Sequence, residues 1–269
     1  MGLWDQVQDR GDVEDRRSSP LVPLGAFGII GTVVAITISL LSGNVDPNQI
    51  TQLINQVTSS SAQSVNTNDG YAIFASQILG SLNTYWKQEL TTVRTSYSAP
   101  KLVLFRQATQ SACGGATSDV GPHYCPPDRT VYLDETFFAE LTSRFGAQSG
   151  DVTQAYVISH EVGHHVQNIL GTINNLDTGD NQTSVKVELQ ADCYSGMWMR
   201  SVANQGIIQP SEFEQAISAA SAVGDDRIQK STTGSIHPET WTHGSSQERV
   251  SWLQTGYNAT SLESCNTFR

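Results

Sequence analysis

Ile158-Ser159-His160-Glu161-Val162-Gly163-His164-His165-Val166 places two histidines one helical turn apart, with a glutamate beside the first, inside an apolar run. Side chains at i and i+4 stack on one face of a helix. His160 and His164 can therefore close on one metal ion while Glu161 reaches a water held there. Gly150-Asp151 ahead of Val152-Thr153-Gln154 reads as an N-cap with a capping-box partner, and Gly171 closes the segment. The spacing predicts a helix over 151–170 with the motif in its middle, the geometry of metal-assisted hydrolysis. A structural histidine pair buried on a core helix is the competing reading.

A catalytic zinc site takes three protein ligands and leaves a fourth position open for water. The spacing that would supply a third ligand from the same segment fails, because Gln167 and Leu170 stand where Gly and His are needed. Asp177 and Asp180 in the following loop are alternatives. The better donor is Glu188, in Val187-Glu188-Leu189-Gln190-Ala191-Asp192-Cys193, on a second helix expected from about 184 to 202. Glu188 and Asp192 are again i and i+4. Glu188 is read as the zinc ligand, and Asp192 as the acceptor of the other ring N–H of His160, which fixes that ring's tautomer. Leu189, Ala191 and Trp198 indicate a buried helix, where carboxylates need a cation.

These residues resemble the membrane-anchored neutral zinc metallopeptidases of bacteria, within the wider gluzincin group that joins HExxH to a downstream glutamate. The likeness extends to Val13-Glu14-Asp15-Arg16-Arg17, Lys101–Phe105, Gly121–Pro126 and Thr242-His243-Gly244-Ser245-Ser246. It implies zinc as cofactor and a peptide or protein as substrate. It also implies an antiparallel edge strand over the cleft that pairs with extended substrate, a role expected of Arg129–Asp134. His243, just before a helix cap, is the candidate for stabilising the oxyanion; an exposed loop histidine is the alternative. Asp225 could orient it or form a surface ion pair. His165 points about 100° away from His164 and is read as supporting packing or a hydrogen bond.

Leu24 to Leu41 carries no charge, which is long enough for one N-terminal transmembrane helix, assigned to 21–42. Arg10, Arg16 and Arg17 precede it, and no Lys or Arg follows until Lys87. The expected topology is a single pass with a cytoplasmic N-terminus and an extracytoplasmic catalytic domain in the cell membrane. All four cysteines follow the apolar stretch, where disulfides are permitted. Cys113 and Cys125 bracket a Gly-rich loop, which leaves Cys193 for Cys265; the rival is a Cys193 thiol near the metal. A net charge of −11 argues against a nucleic-acid partner.

The expected organisation is a disordered, charged tail over 1–20, the span, a polar linker over 43–69, and a zinc metallopeptidase domain over 70–269. Its fold class is α+β, mainly helical and zincin-like, with a small antiparallel sheet built from strands near 101–106 and 129–134. Helices are expected from Gly70, Glu135, Pro210 and Ser245. The functional expectation is a zinc-dependent endopeptidase with Glu161 as general base. The alternative is a non-catalytic, zinc-stabilised binding or assembly protein of the cell envelope.

Overall fold

The computed structural model describes residues 3–18, 70–174, 176 and 180–269. The expected span over 21–42 and linker over 43–69 lie outside the described residues, as does Asp177. Among the described residues no helix is long and apolar enough to cross a membrane.

The fold is mainly helical with a small sheet. Helices α1 (Gly70–Thr92), α2 (Phe137–Ser143), α3 (Asp151–Leu170), α4 (Asn181–Asn204), α5 (Phe213–Ala222), α6 (Asp225–Thr233) and α7 (Ser246–Asn258) surround one core. The strands are β1 (Val13–Asp15), β2 (Lys101–Phe105), β3 (Ala108–Ser111), β4 (Gly114–Thr117), β5 (His123–Cys125) and β6 (Thr130–Asp134). The main sheet runs β1-β2-β6-β5, and β3 and β4 form a separate hairpin.

Two strand expectations are corrected. The sheet is mixed, because β1, β2 and β6 are parallel and only β5 runs antiparallel. The segment expected at the edge, now β6, lies between β2 and β5, and its five residues are all buried. The edge strands are β1 and β5. A strand buried on both faces reads as an unbroken apolar run, which explains why Thr130–Asp134 looked like any other strand in sequence.

Residues 3–18 overturn the expectation of a disordered tail. Trp4, Val7 and Val13 are buried. The Trp4 ring stacks on Trp198 with centroids 6.0 Å apart and meets Phe74 edge-on. Arg16 donates its backbone N–H to Leu104 O as β1 pairs with β2. Three apolar residues dispersed among charges bury enough surface to order a stretch whose average composition reads as disorder.

Helix α3 begins at Asp151, as expected, but without the capping box that the sequence suggested. Gly150 is the N-cap without a side-chain bond, and Asp151 is already helical, accepting from Trp4 Nε1 at 2.9 Å. At the other end Gly171 adopts the left-handed C-cap (φ 76°), which the sequence anticipated. Asp180 is the N-cap of α4, accepting from the Thr183 N–H at 3.0 Å, and is spent as a cap rather than a ligand. Cys113 pairs with Cys125, and Cys193 with Cys265; no described cysteine is free. The first bridge ties the hairpin to the sheet edge, and the second ties the C-terminal tail to α4.

Candidate metal centre

Helices α3 and α4 cross where α3 has no side chain. A Cβ on Gly163 would sit 2.9 Å from Ala191 O and 3.0 Å from its Cα. Any larger residue would push the helices apart. This close approach brings Glu188, on the α4 turn before Ala191, opposite both motif histidines.

His160, His164 and Glu188 each offer one ligand atom, and these atoms lie within 4.8 Å of one another. Glu188 Oε2 is 3.1 Å from His160 Nε2, and its Oε1 is 3.3 Å from His164 Nε2. Ligands on a tetrahedral ion with bonds of 2.0–2.1 Å lie about 3.3 Å apart, so the donor set fits a zinc ion in spacing and chemistry. Burial penalises the His160 imidazolium, but the charge and hydrogen bond of Asp192, with a bond to Glu188, outweigh this and lift its pKa to about 10. Burial likewise opposes the Glu188 carboxylate, and the two histidines outweigh it, holding Glu188 well below its usual range. Zinc ligation uses the deprotonated forms of all three groups.

Both Nδ1 atoms are engaged, which leaves both Nε2 atoms for an ion. His160 Nδ1 donates to Asp192 Oδ1 at 2.9 Å, as the sequence predicts. His164 Nδ1 donates to Gln167 Oε1 at 2.9 Å. The Gln167 amide in turn donates to Val187 O at 2.8 Å and Gln190 Oε1 at 3.0 Å, and Gln190 donates to Cys265 O. Gln167, whose identity removed one ligand template, thus orients the second ligand.

Arg249 on α7 is the residue that sequence reasoning missed. It is buried, donating from Nε to Asp192 Oδ2 (2.8 Å) and from Nη2 to Asp192 Oδ1 (3.0 Å) and Tyr156 Oη (3.3 Å). Tyr156 Oη also donates to Asp192 Oδ1 at 2.5 Å. Burial raises the Asp192 carboxylate, and Arg249 and His160 more than offset it, so Asp192 stays ionised. Its signal in sequence is periodic: Arg249, Leu253 and Gly256 share the buried stripe of α7, so an arginine occupies a core position.

The Glu161 side chain is buried, makes no side-chain hydrogen bond among the described residues, and acts electrostatically on His164.

His243 lies in the loop before α7. Asp225, buried at the start of α6, accepts the backbone N–H groups of Thr242, His243 and Gly244 at 2.7–3.0 Å and faces His243 Nδ1 at 3.2 Å. Of the two options the sequence left for Asp225, the structure takes the orienting one. Gly244 packs on Val185 and Leu189, so the loop abuts the α4 turn that carries Glu188. The His243 ring is half exposed.

The remaining histidines stand apart. His165 is fully buried between Tyr124 Oη (2.9 Å) and Ser98 O (2.7 Å), and burial lowers its pKa to about 4. His123 stacks on Tyr132, and His237 is exposed beside Glu239. No described residue hydrogen-bonds to the outer backbone edge of β5.

A glycine-enabled helix crossing, three convergent donors and oriented imidazoles make a candidate metal site. The family model for "putative neutral zinc metallopeptidase" matches residues 2–268, and the chain belongs to that family. It is 36% identical to the uncharacterized protein YpfJ of Escherichia coli K12, over 98% of each chain. It is 41% identical to the uncharacterized proteins Rv2575 of Mycobacterium tuberculosis H37Rv and Mb2605 of Mycobacterium bovis, over 70% of this chain and 67% of theirs. No solved structure matches it.

Proposed function

We propose that the protein is a zinc-dependent endopeptidase of the cell envelope, with a zincin-like α+β domain in which His160, His164 and Glu188 hold the metal. The observation that carries this is the buried Glu161 carboxylate beside three convergent ligand atoms whose imidazoles are already oriented. Zinc, when bound, supplies a Lewis acid that acidifies water and polarises the scissile carbonyl.

The residues of the chain do the rest. Glu161 takes the proton of the attacking water and returns it to the leaving amine. Asp225 holds the His243 loop through three backbone N–H groups, and His243 stabilises the oxyanion as it forms. Asp192, fixed by Arg249, keeps His160 in the tautomer that presents Nε2. The open edge of β5 accepts an extended peptide as an added strand, the role first expected of β6.

The two disulfides support an oxidising compartment outside the cytoplasm, and the apolar stretch Leu24–Leu41 supports attachment to the membrane. The alternative, a purely structural zinc site, has no use for Glu161 and normally draws on four protein ligands.

The test is peptide-library profiling of the full-length chain as purified, after chelation and after return of one zinc per chain. The reading expects cleavage that disappears with the chelator and returns with zinc. Cleavage indifferent to chelation refutes the metal chemistry, and zinc-loaded protein that cleaves no peptide in the library favours the structural alternative.

A further inference from the structure

The N-terminal segment precedes the apolar stretch in sequence yet is part of the domain that follows it. Trp4 lies between Phe74 and Trp198 and donates to Asp151, the first residue of the histidine-bearing helix α3. Leu3 N–H donates to Ile207 O beyond the end of α4. The chain then crosses α1 at Gly80, where a Cβ would come within 2.5 Å of the Asp9 backbone. Thr84 donates to Asp9 at 2.6 Å, and Ser76 donates from its side chain to Gly11 O at 2.9 Å while its own carbonyl accepts the Gly11 N–H. Beyond this crossing Val13–Asp15 joins β2 in parallel, and Arg17 reaches Glu135. A helix glycine, an aromatic slot and a sheet edge form one continuous groove filled by one peptide.

We propose that residues 3–17 are a built-in peptide ligand of this groove, and that they therefore occupy the same compartment as residues 70–269. A chain that crosses a membrane once between residues 18 and 70 delivers the two parts to opposite faces, where they cannot touch. A second crossing needs about 20 further apolar residues. Thr58–Asp69 is polar, and the stretch before it offers only Ile50, Leu53, Ile54 and Val57 at helical spacing. The groove and a single-pass topology with a cytoplasmic N-terminus exclude each other. With Cys113–Cys125 and Cys193–Cys265 formed, the shared compartment is the oxidising one. This inference is independent of the metal site.

The experiment uses the full-length chain in its native membrane, carrying Asp9→Cys and Thr84→Cys together, with each single variant as control. Both positions are in exposed contact across the groove, so the fold is retained. A short bifunctional thiol reagent should link the two positions in most chains whose native disulfides are intact, and in none of the single variants. A membrane-impermeant thiol reagent should label the two single variants equally from the same face. Chains with intact native disulfides in which the pair stays unlinked, or in which one position is labelled only after permeabilisation, overturn the proposal.

Discussion

Replacing Arg249 by Met tests whether the metal-orienting carboxylate depends on a buried cation. Met fills most of the space of the aliphatic stem but removes the guanidinium, which donates to both oxygens of Asp192 at 2.8 and 3.0 Å and to Tyr156 at 3.3 Å. Asp192 is wholly buried. Two charge-assisted bonds are worth about 1.5–3 kcal/mol each, and stripping one partner from a buried ion pair costs about 3–5 kcal/mol. The bonds that Asp192 keeps to His160 Nδ1 and Tyr156 Oη reduce the loss, so the expected destabilisation is about 3–4 kcal/mol. Urea unfolding of the metal-free, full-length chain at neutral pH reads it directly. Combining Arg249→Met with Asp192→Asn should cost less than the sum of the two single changes, because the orphaned charge is gone. A loss below about 1 kcal/mol, or strict additivity, refutes the view that Arg249 holds Asp192 ionised.

Other expectations follow from the same geometry. Gly163→Ala forces a Cβ against the Ala191 backbone, so zinc affinity measured by competition with a chromophoric chelator should fall at least tenfold, while Val162→Ala on the same helix leaves it nearly unchanged. Gln167→Leu removes the acceptor of the His164 Nδ1 proton, and zinc affinity should drop about 10–100-fold. His165 is held neutral by burial, its pKa lowered from 6.5 to about 4, so the unfolded chain binds its proton first as pH falls. Stability should therefore rise with pH between about 4 and 6.5 and level off above, a contribution of roughly 3 kcal/mol that His165→Gln removes from the pH profile of the urea midpoint.

What could be read from the sequence was local or periodic. His160, Glu161 and His164 follow from i and i+4 stacking, as does the Glu188-x-x-x-Asp192 repeat, and the structure brings His160, His164 and Glu188 together with Asp192 on His160. Ser245 with Glu248 forms the anticipated capping box of α7. The errors arose where long-range contact decides. Residues 3–18 read as a tail because charge dominates their composition, whereas Trp4 finds its slot on Trp198, far along the chain. The edge strand was misassigned because pairing order in a sheet leaves little trace in any one strand. Arg249 was overlooked because arginine is expected on the solvent face, although its register with Leu253 marks it as a core position.

The central claim is that Glu161 performs hydrolysis at a site held by His160, His164 and Glu188. The direct measurement is kcat/KM on a peptide substrate for wild type and Glu161→Gln, with zinc quantified in the same samples. The account predicts one zinc per chain in both and a loss of at least about a hundredfold in the variant, the usual share of a general base. Equal activity in the two zinc-loaded proteins would contradict it.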